Sequence, residues 1–175
     1  MIKRNLILGL TTFALGLTMS ACTEAPAPDA APDTTPDIAG EAVDADPSQR
    51  FGRWQMDSDN PPPSINIMTY EAWNGDGMAI TVASTNAGGE DNEWGYNTMF
   101  DGDFRPVGGQ DNAETAVEWV NETTTRIINK RGGRVTQVII NMLSEDGNTI
   151  ENEYVRMDAA GKITGVSHAT YRRIQ

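Results

Sequence analysis

Residues 134–174, RVTQVIINMLSEDGNTIENEYVRMDAAGKITGVSHATYRRI, alternate β-prone runs with short turn-forming segments. The runs at 134–143, 149–157 and 163–174 are rich in Val, Ile, Thr and Tyr, which favour extended strands. The segments between them, SEDGN and DAAG, contain Gly, Asp and Asn, which favour tight turns. Because turns this short connect antiparallel neighbours, the stretch predicts three strands of a meander.

The same alternation extends towards the N-terminus as far as Arg50. Asn74-Gly75-Asp76-Gly77 is a strong hairpin signal between two such runs. Residues 113–120 are also compatible with one or two helical turns, but no long amphipathic helix is predicted. Further strands are predicted at 50–57, 64–73, 78–83, 94–100, 117–121 and 124–130, with a short piece around Phe104.

An open meander of this size would expose two unpaired strand edges, which invite aggregation. Closing the first strand on the last removes both edges. The predicted fold is therefore all-β, an antiparallel up-and-down meander closed into a barrel of about eight to ten strands. One strand is apolar on both faces, which indicates an outer cover, a sandwich or a partner subunit: Val138, Ile140 and Met142 lie on one face, and Val135, Ile139 and Leu143 on the other.

The first 21 residues have the pattern of a secretory signal peptide. Lys3 and Arg4 give a basic start, residues 6–19 are uncharged and mostly apolar, and Ser20-Ala21 are small. A permanent membrane-spanning helix needs about 20 apolar residues, so this segment is too short for one. We expect residues 1–21 to be cleaved from the mature protein.

Met19-Ser20-Ala21-Cys22 resembles the lipobox of bacterial lipoproteins, with Met in place of the usual Leu. The resemblance implies cleavage after Ala21, a diacylglyceryl group on the Cys22 thiol, and palmitate among the attached acyl chains. Thr23 is not the Asp that retains many lipoproteins in the inner membrane. The resemblance therefore implies a lipid-anchored protein of the cell envelope, in the outer rather than the inner membrane where a cell has both.

Residues 22–47 are predicted to be a lipidated cysteine followed by a disordered tether. Residues 23–47 contain seven Ala, five Pro and seven acidic residues, but no basic or aromatic residue. Such a segment cannot bury enough apolar surface to offset the entropy lost on ordering. Residues 48–175 hold all the Trp and Tyr residues and are long enough for one core, so we expect a single β-barrel domain there.

Gly52-Arg53-Trp54 opens the first predicted strand, and Tyr171-Arg172-Arg173 ends the last. This pair of motifs resembles the lipocalins and their calycin relatives, in which Gly-x-Trp begins the barrel and a C-terminal basic residue packs over the Trp. The resemblance implies that Gly52, Trp54 and Arg173 close the barrel. Arg173 is preferred to Arg172 because it shares a strand face with Tyr171.

The domain is also similar to uncharacterised secreted bacterial β-proteins that begin with Gly-x-Trp, a resemblance that implies no known activity. Intracellular fatty-acid-binding relatives of the lipocalins hold a carboxylate with Arg-x-Tyr on the final strand. The corresponding residues here are Ala169-Thr170-Tyr171, without the cation. The Thr-Asp-Tyr motif usual in lipocalins is also absent, so the family resemblance does not imply a fatty-acid ligand.

The residues that carry chemistry are few. His168 is the only histidine and Cys22 the only cysteine, so a histidine-based metal centre, a disulfide and a thiolate site are excluded. No Gly-x-Ser-x-Gly motif accompanies His168, and we expect it on a strand surface. We therefore expect no catalytic residue, no metal and no cofactor. The net charge of −12 also argues against nucleic acid as a partner.

We expect the function to be non-enzymatic binding of a small apolar or amphipathic ligand. Tyr154 and Arg156 share a strand face with Ile150, so they are candidate ligand-lining residues if that face is interior. The alternative is a protein-interaction module, for example an inhibitor of a basic envelope enzyme. Residues 48–125 hold 13 acidic and 3 basic residues, which would supply an acidic face for such a partner, whose identity stays open. A large cavity favours the first function, and a barrel filled by side chains favours the second.

Overall fold

The computed structural model describes residues 43–175. The predicted signal peptide, Cys22 and most of the predicted tether lie outside this part of the chain. Within residues 43–175, no helix is long and apolar enough to cross a membrane. A short 3₁₀ turn, Pro47–Arg50, precedes ten strands: β1 (Gly52–Met56), β2 (Ile65–Trp73), β3 (Gly77–Thr85), β4 (Asp91–Thr98), β5 (Arg105–Pro106), β6 (Ala113–Asn121), β7 (Thr124–Arg131), β8 (Arg134–Leu143), β9 (Thr149–Met157) and β10 (Ile163–Arg173).

These strands form one antiparallel sheet in the order β4-β3-β2-β1-β10-β9-β8-β7-β6-β5. Every strand pairs with its neighbours in the chain, except across the β4–β5 connection, and β1 pairs with β10 so that Trp54 lies opposite Arg173. The predicted all-β antiparallel meander is therefore confirmed. Because the first and last strands pair, the sheet curls into a nearly closed barrel.

The seam of the barrel lies between β4 and the short β5. Gly95 and Gly108 bridge it, with Gly95 donating to the Gly108 carbonyl at 3.1 Å and Gly108 donating to the Gly95 carbonyl at 2.8 Å. A Cβ atom on Gly95 would lie 2.5 Å from the carbonyl oxygen of Ile80 on the next strand. Position 95 requires glycine because the backbones of β3 and β4 approach too closely there for any side chain.

Two local predictions differ from the structure. Residues 113–121 contain no helical turn; they form β6, because Thr115, Val117 and Trp119 alternate inwards and the strand pairs along its length with β7. The first strand begins at Gly52 rather than Arg50. Arg50 ends the 3₁₀ turn, whose first residues are held by the Asp46 carboxylate accepting from the Ser48 N–H at 2.8 Å.

The two ends of the barrel are filled differently. The end that carries the 3₁₀ turn, called here the closed end, holds Trp54, Phe100, Val117, Leu143 and Ile150, all buried. Removing each such side chain from water contributes roughly 1.5–3 kcal/mol to folding. At the opposite end, called here the open end, the inward side chains leave a cavity between them.

The outer face of β8 carries the apolar residues noted in the sequence. Ile139 and Leu143 are buried inside the barrel, whereas Val138 and Ile140 are half-buried on the outside and Met142 is 40% exposed there. Val138 lies in register with Val155 on the neighbouring strand. The described residues therefore present an outer apolar stripe on β8 and β9.

Candidate functional site

A cavity of about 720 Å³ occupies the barrel interior and reaches the open end. Its first wall comes from β1 to β4. Because alternate residues of a strand point to the same face, these strands direct a regular set of side chains inwards. Apart from Asn66, the set is apolar or aromatic: Met56, Met68, Tyr70, Ile80, Val82, Trp94 and Tyr96.

The opposite wall, from β6 to β10, is polar along much of its length. Thr115 donates its hydroxyl to Asn129 Oδ1 at 2.8 Å, and Asn129 Nδ2 donates to Gln137 Oε1 at 3.0 Å. Ile127 and Ile139, which are paired in register, add apolar surface to this wall. The cavity thus offers one face for apolar contact and one face with hydrogen-bonding groups.

Arg50 lies beneath the cavity and is only 1% exposed. Its guanidinium donates to Asn141 Oδ1 and to the backbone carbonyl of Thr123, and its Cζ lies 5.3 Å from the centroid of the Trp119 ring. Burial lowers the pKa of Arg50, but a guanidinium starts so high that it keeps its charge. Among the described residues, no ion pair includes Arg50.

A chain of hydrogen bonds leads from Arg50 into the cavity. Asn141 accepts from Arg50 and donates from Nδ2 to Asn152 Oδ1 at 2.7 Å. Asn152 donates from Nδ2 to the hydroxyl oxygen of Tyr154 at 3.0 Å. Asn141 and Asn152 are paired residues on β8 and β9, so the sheet register places their amides side by side. We call this set of four residues the Arg50–Tyr154 relay.

All four tyrosines of the protein line the cavity: Tyr70, Tyr96, Tyr154 and Tyr171. Burial raises the pKa of Tyr70 well above its usual range, and the Arg50 cation offsets part of that rise. Burial also raises the pKa of Tyr96 and Tyr171. These three phenols therefore stay protonated in the physiological range.

Charged residues line the cavity near the open end. Arg156 donates to the Ser167 hydroxyl at 3.2 Å, and Arg131 donates to Gln110 Oε1 at 2.8 Å. Lys130 places its Nζ 3.2 Å from the centroid of the Phe104 ring. Glu114 is the one carboxylate among the described cavity-lining residues, so cations outnumber anions there although the whole chain carries −12.

The three residues expected to close the barrel lie together at the closed end. Trp54 is fully buried and donates from Nε1 to the carbonyl of Arg50 at 2.9 Å. Arg173 places its Cζ 4.1 Å from the centroid of the Trp54 ring and donates to the carbonyls of Gln49 at 2.7 Å, Gly147 at 2.8 Å, and Phe51. At Gly52, whose φ is +130°, a Cβ atom would lie 2.3 Å from the Gln175 carbonyl oxygen.

The remaining sequence candidates separate into cavity and surface residues. Tyr154 and Arg156 both line the cavity. His168 borders the cavity on β10, but its side chain is 68% exposed, with Nε2 3.1 Å from a carboxylate oxygen of Glu153. Sequence reasoning missed Arg50, Asn141 and Asn152 as site residues; the available signal was an asparagine at an inward position in each of two adjacent strands.

The fold has counterparts among solved structures. No protein-family model and no curated protein sequence matches the chain. The crystal structure of the wild-type fluorescent protein UnaG superposes with a TM-score of 0.50 at 12% identity, over 72% of this chain and 98% of that one. A mutant of UnaG gives a TM-score of 0.51 at 12% identity, over 73% and 98%. The domain is a calycin-like β-barrel. At this level of identity the likeness shows the fold alone.

Proposed function

We propose that the barrel binds a small apolar or amphipathic molecule in its cavity. The observation that carries this proposal is the cavity itself, whose volume of about 720 Å³ lies within the usual range for small-molecule sites. The aromatic wall of β1 to β4 would cover the apolar body of such a molecule. The amides and hydroxyls of β6 to β10 would fix its orientation.

We further propose that the protein acts by binding and not by catalysis. The single histidine, His168, borders the cavity beside Ser167 and Ala169, but its side chain is 68% exposed and pairs with Glu153. Burial keeps Tyr70, Tyr96 and Tyr171 protonated, so these three phenols act as hydrogen-bond donors and not as nucleophiles or bases. This arrangement supports a receptor or carrier role.

We propose that the domain is held at the cell envelope by lipid on Cys22. The support is the lipobox-like end of the predicted signal peptide, and the proposed home is the outer membrane where a cell has two. Replacing Cys22 with Ala should leave an uncleaved precursor and abolish incorporation of radiolabelled palmitate. Normal processing together with unchanged membrane fractionation of that variant would contradict the anchor.

The alternative function, docking of a basic protein partner to an acidic face, has less support. That function needs no interior space, whereas the barrel contains a cavity large enough for a ligand. The cavity residues are also cationic on balance, opposite in sign to the chain as a whole. We therefore place ligand binding first.

The test is native mass spectrometry, with extraction and identification of small molecules that leave the purified domain on denaturation. Ala169 lines the cavity, so Ala169→Trp should fill it and abolish co-purification of the ligand. Ala83 lies on the outer face of β3, between the inward-facing Val82 and Ser84, and Ala83→Trp is the matched control. Equal occupancy of all three proteins, or no bound molecule in the unmodified domain after exposure to an envelope extract, would overturn the proposal.

A further inference from the structure

Arg50 is a buried cation without a counter-ion among the described residues. Buried charges are normally paired, because removing an isolated charge from water is costly. A guanidinium has five N–H donors, and the donors of Arg50 meet only an amide oxygen, a backbone carbonyl and the face of Trp119. Its Nε has no partner and is the one such buried side-chain atom in residues 43–175. The closed end therefore holds uncompensated positive charge.

The charge of Arg50 fixes the direction of every hydrogen bond in the relay. Because a guanidinium can only donate, Asn141 must turn its oxygen to Arg50 and its Nδ2 to Asn152. Asn152 must then accept through Oδ1 and donate through Nδ2 to the oxygen of Tyr154. Successive hydrogen bonds of one direction polarise one another, so the far end of the relay is a strengthened donor.

The proton of the Tyr154 hydroxyl is left for the cavity. Among the hydrogen bonds of the described residues, none has Tyr154 as donor. The hydroxyl of Tyr171 lies close to that of Tyr154 and donates to Asn66 Oδ1 at 3.3 Å, so a ligand oxygen that enters between them would accept the Tyr154 proton. The cavity-lining cations Arg156 and Arg131 add positive potential on the same side of the barrel.

We propose that the ligand carries an anionic oxygen, such as a carboxylate or sulfonate, that accepts the Tyr154 hydroxyl and compensates the charge of Arg50 through the relay. This inference rests on the proposed function and specifies the ligand class: an apolar body for the aromatic wall and one anionic oxygen group for the relay.

Two dyes that share one aromatic body but differ in a sulfonate show how much the anionic group contributes to binding. 8-Anilinonaphthalene-1-sulfonate carries a sulfonate, and N-phenyl-1-naphthylamine is the same molecule without it. Each is titrated by fluorescence into the purified domain, with one-to-one stoichiometry and loss of binding in Ala169→Trp as evidence that the cavity is the site. We expect the sulfonate dye to bind about tenfold more tightly or better, the scale of one charge-assisted hydrogen bond.

Tyr154→Phe removes only the donor hydroxyl. It should weaken the sulfonate dye by about tenfold and change the neutral dye by less than about twofold. Thr81→Val, which removes a hydroxyl from the exposed outer face of β3, should not change the preference between the two dyes. Asn152→Ala, which breaks the relay but keeps the Tyr154 hydroxyl, should also reduce that preference. This variant tests the relay if Tyr154→Phe fails to fold.

Equal affinity for the two dyes, with no selective effect of Tyr154→Phe or Asn152→Ala, would overturn this inference while leaving the cavity as a ligand site. Absence of binding by either dye to the unmodified domain would count instead against the proposed function. A sulfonate preference that survives both relay variants would assign the anion to the cations near the open end, and would also overturn the role of the relay.

Discussion

The two ends of the barrel are built from the same strands but serve different purposes. At the closed end, Trp54 and Ile150 are fully buried, and Phe100 stacks on Trp119 with ring centroids 4.4 Å apart. At the open end, the same sheet encloses about 720 Å³ of unfilled space. The closed end joins the first strand, the last strand and the 3₁₀ turn, so it concentrates packing where β1 meets β10. The packing at the closed end therefore stabilises the sheet, although the open end contains a cavity.

The difference is visible along single strands. On β10 the inward side chains shrink towards the open end, from Tyr171 to Ala169 to Ser167, which makes room for the cavity. On β9 they change from the buried, apolar Ile150 to Asn152, Tyr154 and Arg156. Along the barrel axis, the inward side chains therefore become smaller on β10 and more polar on β9.

The strongest test of this comparison truncates one tryptophan at each end. Trp54→Ala should lower the free energy of unfolding by about 3–5 kcal/mol, because the ring is fully buried between β1, the 3₁₀ turn and Arg173. Trp94→Ala should cost less than half as much, because that ring lines open space. Urea denaturation of both variants measures the difference. Equal losses would mean that the cavity wall is as important to stability as the closed end.

A second test compares two adjacent arginines. Arg173→Ala should cost about 2 kcal/mol, since it removes a cation–π contact and leaves backbone carbonyls without their donor. Arg172 points outwards and pairs with Asp57 in an exposed ion pair at 2.9 Å, so Arg172→Ala should cost about 0.5 kcal/mol or less. The same denaturation experiment applies. Equal stability of the two variants would mean that Arg173 contributes no more to folding than an exposed arginine does.

The smallest expected difference comes from deleting one methyl group at each end. Ile150→Val should cost about 1 kcal/mol because its neighbours at the closed end cannot collapse into the gap. Ile127→Val should cost about 0.5 kcal/mol, since its side chain borders a space that already exists. Thermal unfolding of both variants is sensitive enough to rank them. A larger loss of stability for Ile127→Val than for Ile150→Val would mean that the cavity end is more tightly packed than the closed end.

Much of the fold follows from local rules. Turn-forming residues between β-prone runs predicted strands close to those observed from β7 to β10, because propensity and turn chemistry act over a few residues. Residues 113–120 were ambiguous on the same grounds. Their pairing with β7 selected the strand, since an isolated eight-residue segment has no strong preference of its own.

The sequence by itself determined the all-β class, the order of the strands and the pairing of the first strand with the last. Only the tertiary structure decided that a cavity exists and that Arg50, Asn141, Asn152 and Tyr154 act together in it. Arg50 and Asn141 are 91 positions apart in the chain, and no local pattern marks either as a partner of the other. Strand propensity and turn chemistry depend on neighbouring residues, whereas the amount of interior space and the direction of the relay depend on sheet register and barrel curvature, which are set by all the strands together.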